Sequence, residues 1–184
     1  MIQVVWFKRD LRTFDHAPLA EAAAAGPVLP LYVVEPEYWS LPDTSIRQWS
    51  AQRSALVELS QRLSALGAPL IVRVGAVTEV LEKIHSAVGI ARLLAHEETG
   101  NLWTFRRDLA VHAFCRSRGI AFREFSQTGV IRGSQARDRW AAHFTKFIAA
   151  PCVAEPASLT PVAGAKPVAI PDAEVLRLHD DGCI

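Results

Sequence analysis

The stretch Val4-Val5-Trp6-Phe7-Lys8-Arg9-Asp10-Leu11-Arg12 decides how the rest of the chain is read. Residues 2–7 form an apolar, β-branched run with the length and composition of a strand covered on both faces. The run breaks into four charges, Lys8, Arg9, Asp10 and Arg12, within five residues. That pattern is expected where the carboxyl end of a buried strand opens onto a polar crevice, the place where ligands bind in an open α/β sheet. No glycine lies between Lys8 and Arg12, so the glycine-rich phosphate fingerprint of dinucleotide folds is absent here.

Outward from this strand the chain alternates regularly. Asp15 sits where a helix N-cap is expected, with Pro18 tolerated in the first turn, an alanine-rich segment to Ala25 and a stop at Gly26. A second apolar run at 28–34 ends at Glu35-Pro36, and a loop to Thr44 carries Tyr38, Trp39 and Pro42. Ser45 is a plausible cap for the clearest helical pattern, with Ala55, Leu56, Leu59, Leu63 and Leu66 on one face and Gly67 as terminator. Residues 69–74, 90–95 and 120–125 read as strands three to five. Residues 77–88, capped by Thr78 or starting just before it, and 101–118, followed by Gly119, read as helices. Strand and helix in this alternation predict an α/β fold, a five-stranded doubly wound parallel sheet joined by right-handed crossovers. Beyond Phe125 the regularity fades. Residues 127–133 read as a loop and 135–149 as a helix or an ordered excursion. Pro151, Pro156, Pro161, Pro167 and Pro171 recur too closely for a long helix after Ala150. The expected organisation is an α/β domain over 1–133 and an extended linker over 134–184.

The totals bound the function classes. A chain of 184 residues, half of them hydrophobic, can bury one sizeable core. A formal charge of +1 excludes a polyelectrolyte binder, so nucleic-acid contact requires a local patch. Cys115, Cys152 and Cys183 are odd in number and lack metal-ligand spacing, which predicts reduced thiols. No apolar run approaches the ~18 residues of a membrane span and no basic region precedes the first strand, so the expectation is a soluble cytoplasmic protein without a membrane partner.

Residues 5–12, Val-Trp-Phe-Lys-Arg-Asp-Leu-Arg, with Asp15 and Leu19, resemble the opening signature of the DNA photolyase and cryptochrome flavoproteins. Lys8 stands where that signature has arginine, His16 where it has asparagine and Pro18 where it has alanine. A second block, His96-Glu97-Glu98-Thr99-Gly100-Asn101 with Trp103, Thr104, Arg107, Asp108 and Cys115, resembles a bacterial branch of the same family. The resemblance implies a Rossmann-like sheet of strand order 3-2-1-4-5 that holds an antenna chromophore. It also implies a linker, and a C-terminal all-helical FAD domain lying beyond Ile184. In the parent protein, excited reduced FAD would split pyrimidine dimers in damaged DNA, a carbon–carbon lyase reaction, or serve blue-light sensing. The present chain would not catalyse by itself.

Carried over from the family, the antenna-binding candidates are Arg9, Asp10, Tyr32, Val33, Arg47 and Glu98, and none is catalytic or metal-binding. With that strand order, Arg9 and Asp10 would face Glu97 and Glu98 across the crevice, and Arg47 would stack on a ring or pair with a phosphate tail. The Asn-Glu pair that anchors a folate would fall at Trp103 and Thr104, so a flavin or deazaflavin is favoured over a folate.

Plainer readings stand beside these. The charges at 8–12 also suit surface or interdomain ion pairs, worth only about 0–1 kcal/mol each. His96-Glu97-Glu98 reads as a strand end with a helix cap at Thr99 or Asn101 rather than a metal site. Trp6, Trp49, Trp103 and Trp140 read as core or interface aromatics rather than electron carriers. Arg132, Arg137, Arg139 and Lys146, interleaved with Trp140, Phe144 and Phe147, could border DNA phosphates, but a solvated helix face with its aromatics on the sheet is preferred. Two other functions remain open. One is a stand-alone nucleotide-binding or electron-transfer-flavoprotein-like domain, which would bind AMP or ATP and whose tail from Ala150 would fold back. The other is a non-catalytic interaction module; an uncovered apolar face near Trp140 would favour it or the antenna reading. Val5→Asp, an unpaired charge in the central strand, is expected to abolish cooperative thermal melting; a soluble variant that melts cooperatively would show the strand to be misplaced.

Overall fold

The computed structural model describes residues 1–131, 136–174 and 176. Five strands, β1 (Ile2–Phe7), β2 (Val28–Val34), β3 (Ile71–Val74), β4 (Ile90–His96) and β5 (Ala121–Phe125), form one sheet of order β3-β2-β1-β4-β5. Every pairing is parallel. The helices are α1 (Ala17–Ala25), α2 (Pro36–Trp39), α3 (Ile46–Leu66), α4 (Val77–Val88), α5 (Leu102–Arg118) and α6 (Ala136–Ala149). No helix of the described residues is long and apolar enough to cross a membrane.

All six residues of β1 are buried, as its unbroken apolar run requires. Its alternating side chains serve two cores. Val5 and Phe7 pack with Leu19 of α1 and with Leu56, Leu59 and Leu63 of α3. Ile2, Val4 and Trp6 pack with Leu81 of α4 and with Val111 and Cys115 of α5. Each such fully buried side chain stabilises the fold by about 1.5–3 kcal/mol relative to exposure. Burial also pushes the Cys115 thiol up to about 11, so it is an inert apolar filler.

Local starts and stops follow the side-chain chemistry, with corrections. Ser45 and Gln48 form a reciprocal capping box on α3, and Gly67 ends it in a left-handed turn at φ 106°. Asp15 does not cap α1. His16 does, its Nδ1 accepting the Leu19 N–H at 3.1 Å. Asp15 instead adopts φ 50° and pairs with Val153, donating its N–H to the Val153 carbonyl at 2.8 Å and accepting the Val153 N–H on Oδ1 at 3.0 Å. The third strand starts at Ile71 rather than at 69, and the loop after β2 contains the short α2; α4 starts at Val77, just before Thr78, as the second of the two expected starts has it.

The proline-rich tail is extended, yet it is bound to the domain rather than hanging free. Thr13 donates to Glu155, Leu159 donates its N–H to the Leu66 carbonyl at 2.7 Å, and Val28 donates to Thr160 at 2.8 Å. Leu159 and Leu176 bury into one core and Val162 into the other. A tail that folds back from Ala150 is what the nucleotide-binding alternative expects. The face around Trp140 has the opposite character: Trp140, Phe144 and Ile148 are all exposed, so the Trp140 and Phe144 rings are not covered by the sheet as expected. Trp140 and Phe144 stack on each other, with the Phe144 ring over Gly129. Arg132, and the side chains of Arg137 and Arg139, lie outside the described residues, so the basic stretch is described only at Lys146.

Gly67 is where the tail passes closest to the domain. A Cβ there would lie 2.8 Å from the Leu159 carbonyl oxygen, at a φ that L side chains rarely adopt. Gly67→Ala is therefore expected to cost about 1–3 kcal/mol in urea denaturation and to speed proteolysis of the tail; unchanged cleavage would show that the tail is held elsewhere.

Candidate functional site

Strand order places β1 between β2 and β4; β1 leads into β2 through α1 on one face, whereas β4 is reached from β3 through α4 on the other, so a crevice opens at the carboxyl ends of β1 and β4. The crevice holds a cavity of about 380 Å³. Its walls come from the ends of β1 (Trp6 to Arg9) and β2 (Tyr32, Val33, Glu35), from Tyr38 and Trp39 of α2, from Gln52 of α3, and from Glu98 and Arg107.

One guanidinium organises the charges. Arg107 donates to Glu35 at 3.2 Å, to Glu98 at 2.5 Å and to Asp108 at 2.9 Å. It also lies 4.8 Å from the centroid of the Trp6 ring and 5.7 Å from that of Trp103, a cation–π arrangement on both. Burial opposes its charge, but the surrounding carboxylates of Asp108, Glu98 and Glu35 more than compensate, so it stays protonated. Arg9 closes the rim, 2.9 Å from Glu98 and 2.5 Å from the Tyr38 hydroxyl. Lys8, buried beneath, pairs with Asp108 at 3.2 Å and Glu124 at 3.4 Å and sits over Trp6.

Two neutral groups add direction. Gln52 donates to the Lys8 carbonyl at 3.1 Å and to the Tyr32 hydroxyl oxygen at 3.2 Å. Burial raises the Tyr32 phenol, which therefore remains a neutral O–H. Glu35 behaves differently: burial outweighs Arg107 and pushes its carboxyl up to about 7.

Of the residues expected at the site, Arg9, Tyr32, Val33 and Glu98 line the cavity. Arg47 is exposed on the first turn of α3 and is not part of its wall, because the neighbouring positions Gln48, Ala51 and Gln52 turn toward it instead. Asp10 does not face the crevice or the Glu97-Glu98 pair. It is buried behind, where Oδ1 accepts the Lys8 N–H at 2.8 Å and Oδ2 meets His16 Nε2 at 2.9 Å and His96 Nδ1 at 2.7 Å. Burial works against its charge, but the bonds from the two histidines prevail and hold the carboxyl well below the usual range. Burial lowers His16, and since its Nδ1 accepts from Leu19 the hydrogen-bond pattern assigns the proton to Nε2. Asp10, His16 and His96 also gather three metal-type donors. Their 2.7 and 2.9 Å contacts are proton-sharing distances, shorter than the roughly 3.3 Å that tetrahedral bonds of 2.0–2.1 Å put between neighbouring zinc ligands. The helix cap after β4 is Asn101, which accepts the Thr104 N–H at 3.1 Å.

Glu35, Tyr38, Gln52 and Arg107 were not singled out as site residues from sequence. Glu35 left a signal, a carboxylate directly after an apolar strand, as did Arg107 and Asp108, adjacent opposite charges early in the helix after β4.

Comparison with known proteins agrees with this architecture. The family model described as DNA photolyase matches residues 3–161, and the chain belongs to that family. It is similar to the deoxyribodipyrimidine photo-lyase of Vibrio cholerae, 27% identical over 151 residues, covering 79% of this chain and 32% of that protein. Cryptochrome-1 of Arabidopsis thaliana is 30% identical over 150 residues, covering 79% of this chain and 21% of its own length. The fold is shared with an archaeal photolyase from Sulfolobus tokodaii, solved with two FAD molecules, at a TM-score of 0.71 and 19% identity, covering 96% of this chain and 41% of that one. The chain thus spans about a third or less of these two curated relatives.

The elevated Glu35 gives a pH signature. An unfolded glutamate ionises near 4.5 and the folded one near 7, so between those values the native state holds a proton that the unfolded state has lost. Stability contributed by this group is full below about 4.5 and falls as pH rises toward 7, by about 2–3 kcal/mol. Glu35→Gln is expected to flatten the profile of unfolding free energy between pH 5 and 7, measured by urea titration; a slope equal to that of the parent chain would assign the titration to another group.

Proposed function

We propose that this chain is the antenna domain of a photolyase or cryptochrome, and that the crevice cavity seats a flavin or deazaflavin. Light absorbed by that pigment would pass to FAD in a C-terminal helical domain. The complete protein would then repair pyrimidine dimers in damaged DNA or report blue light, while the chain alone performs neither task. The observation that carries this reading is a cavity at the topological switch point whose walls include the aromatic residues Trp6, Tyr32, Tyr38 and Trp39 beside charged and amide groups.

Such rings offer faces to a conjugated pigment, and offset stacking of aromatic pairs contributes about 0.5–1.5 kcal/mol beyond area burial. The polar groups supply orientation: the Tyr32 O–H as donor, Arg9 as a charged donor and Glu98 as acceptor. Arg107, restrained by three carboxylates, gives a wall that does not have to reorganise when a ligand enters. The folate alternative is disfavoured by Thr104, which is buried and spends its hydroxyl on the Asn101 carbonyl where a carboxylate anchor would be needed. The archaeal photolyase of the same fold, with its two FAD molecules and implied light-harvesting cofactor, supports a flavin in this role. The unpaired thiols Cys115 and Cys152 suit a reducing cytoplasmic setting.

The test is the near-ultraviolet and visible spectrum of the purified chain after incubation with riboflavin or 5-deazariboflavin and gel filtration. Retained, red-shifted pigment is expected. Glu98→Ala should weaken retention about tenfold, the loss of one charged hydrogen bond, whereas Arg47→Ala should leave it unchanged. Equal effects of the two substitutions, or a chain that takes up neither pigment, would overturn the assignment.

A further inference from the structure

A cavity of about 580 Å³ lies between the edge strand β3, the later turns of α4 and the proline-rich tail, and it shares no lining residue with the crevice. Leu29 and Ile71 of the sheet and Val80 and Ile84 of α4 supply its apolar walls. Residues 162–165 of the tail close it with a turn, in which the Ala165 N–H reaches the Val162 carbonyl at 3.3 Å and Gly164 takes φ 77°. That turn is pinned at both ends. The Val28 N–H holds the Thr160 carbonyl at 2.8 Å, and the Arg73 guanidinium holds the Lys166 carbonyl at 3.2 Å. The cavity is therefore built into the fold and does not wait for a ligand to form it.

Its lining has one sign of charge. Arg73, Lys83 and Lys166 border it, and none of the three has an ion pair among the described residues. Among those residues no carboxylate and no aromatic ring lines it. The acidic residues of α4, Glu79 and Glu82, stand outside the lining, and Glu82 accepts from Arg118 of α5 at 2.8 Å.

We propose that this cavity is a binding site for a free fatty-acid anion, with the aliphatic chain between the sheet and α4 and the carboxylate between Arg73 and Lys166. The volume falls in the range of roughly 300–1,000 Å³ that small-molecule sites occupy. Walls of Leu, Ile, Val and Ala offer a chain close contact along its length, whereas a flat heteroaromatic ligand finds no ring to stack on. Arg73 uses N–H groups on the Val72 carbonyl at 2.7 Å and on the Lys166 carbonyl, and its remaining donors are left for a carboxylate. Because that second bond ties Arg73 to the backbone of Lys166, two positive side chains start from one point at the cavity's edge. A single negative headgroup offsets their mutual repulsion, and a cationic amphiphile adds to it. The site is independent of the crevice and of any pigment seated there.

The experiment is isothermal titration calorimetry of the full chain with octanoate, dodecanoate and dodecyltrimethylammonium, each below its critical micelle concentration, at neutral pH and low salt. Dodecanoate is expected to bind at a single site, at least about tenfold more tightly than octanoate, since each buried methylene contributes up to about fourfold. The cationic amphiphile should not bind there. Lys83→Gln/Lys166→Gln should weaken dodecanoate about fivefold, and high salt should act in the same direction. Ala87→Glu, at an exposed lining position, should weaken it at least about tenfold while thermal melting stays that of the parent chain. Should that variant melt early, the lysine pair decides. Dodecanoate that does not bind, that binds no more tightly than octanoate, or that binds the lysine variant as well as the parent would overturn the assignment, as would equal uptake of the cationic amphiphile.

Discussion

A single buried carboxylate, Asp10, sets the geometry on which the crevice depends. It receives the Lys8 N–H from its own loop, His16 from the start of α1 and His96 from the end of β4. Three chain segments that must diverge around the switch point are thereby held to one point. The cost of burying the charge is offset because both oxygens are occupied by donors. His16 has a second duty as the cap of α1, so the direction in which the chain leaves β1 and the ionisation of Asp10 are linked through one imidazole.

In front of this anchor the crevice is built on a different balance. Lys8, Arg9 and Arg107 face Glu35, Glu98, Asp108 and Glu124, and burial, which Arg107 offsets only in part, is the reason that Glu35 titrates near neutrality. Around Arg107 the rings of Trp6 and Trp103 replace water on its faces while the carboxylates take its edges. The cavity is consequently polar in its fixed groups and aromatic in its surface, a combination suited to a flat heteroaromatic ligand. The proline-rich tail belongs to the same economy. By pairing with Asp15 and Thr13 it holds the outer side of the loop whose inner side Asp10 holds.

Much of the fold was legible because period and punctuation agree in this chain. The buried parallel strands are unbroken apolar runs, Ser45 and Gly67 bracket the longest helix, and the alternation of elements leaves little choice of topology. The departures are local. His16 caps α1 because a ring nitrogen reaches the Leu19 N–H while the tail draws Asp15 away. Residues 135–149 gave an undecided pattern because apolar residues there do not all turn inward, and Trp140, Phe144 and Ile148 form an exposed row.

By itself the sequence determined the parallel α/β sheet, the place of the crevice at the end of β1, and the family through two motif blocks, since these depend on short-range pattern. Tertiary structure alone decided which charges share that crevice. Arg9, Glu35, Glu98 and Arg107 come from four separate stretches of chain, whereas Asp10, adjacent to Arg9, faces the opposite way. The physical reason is that successive residues leaving a strand turn to different sides, so neighbours in sequence part company. Partners are chosen by distance across the sheet and by the cost of leaving a buried charge alone, and neither is written in any local spacing.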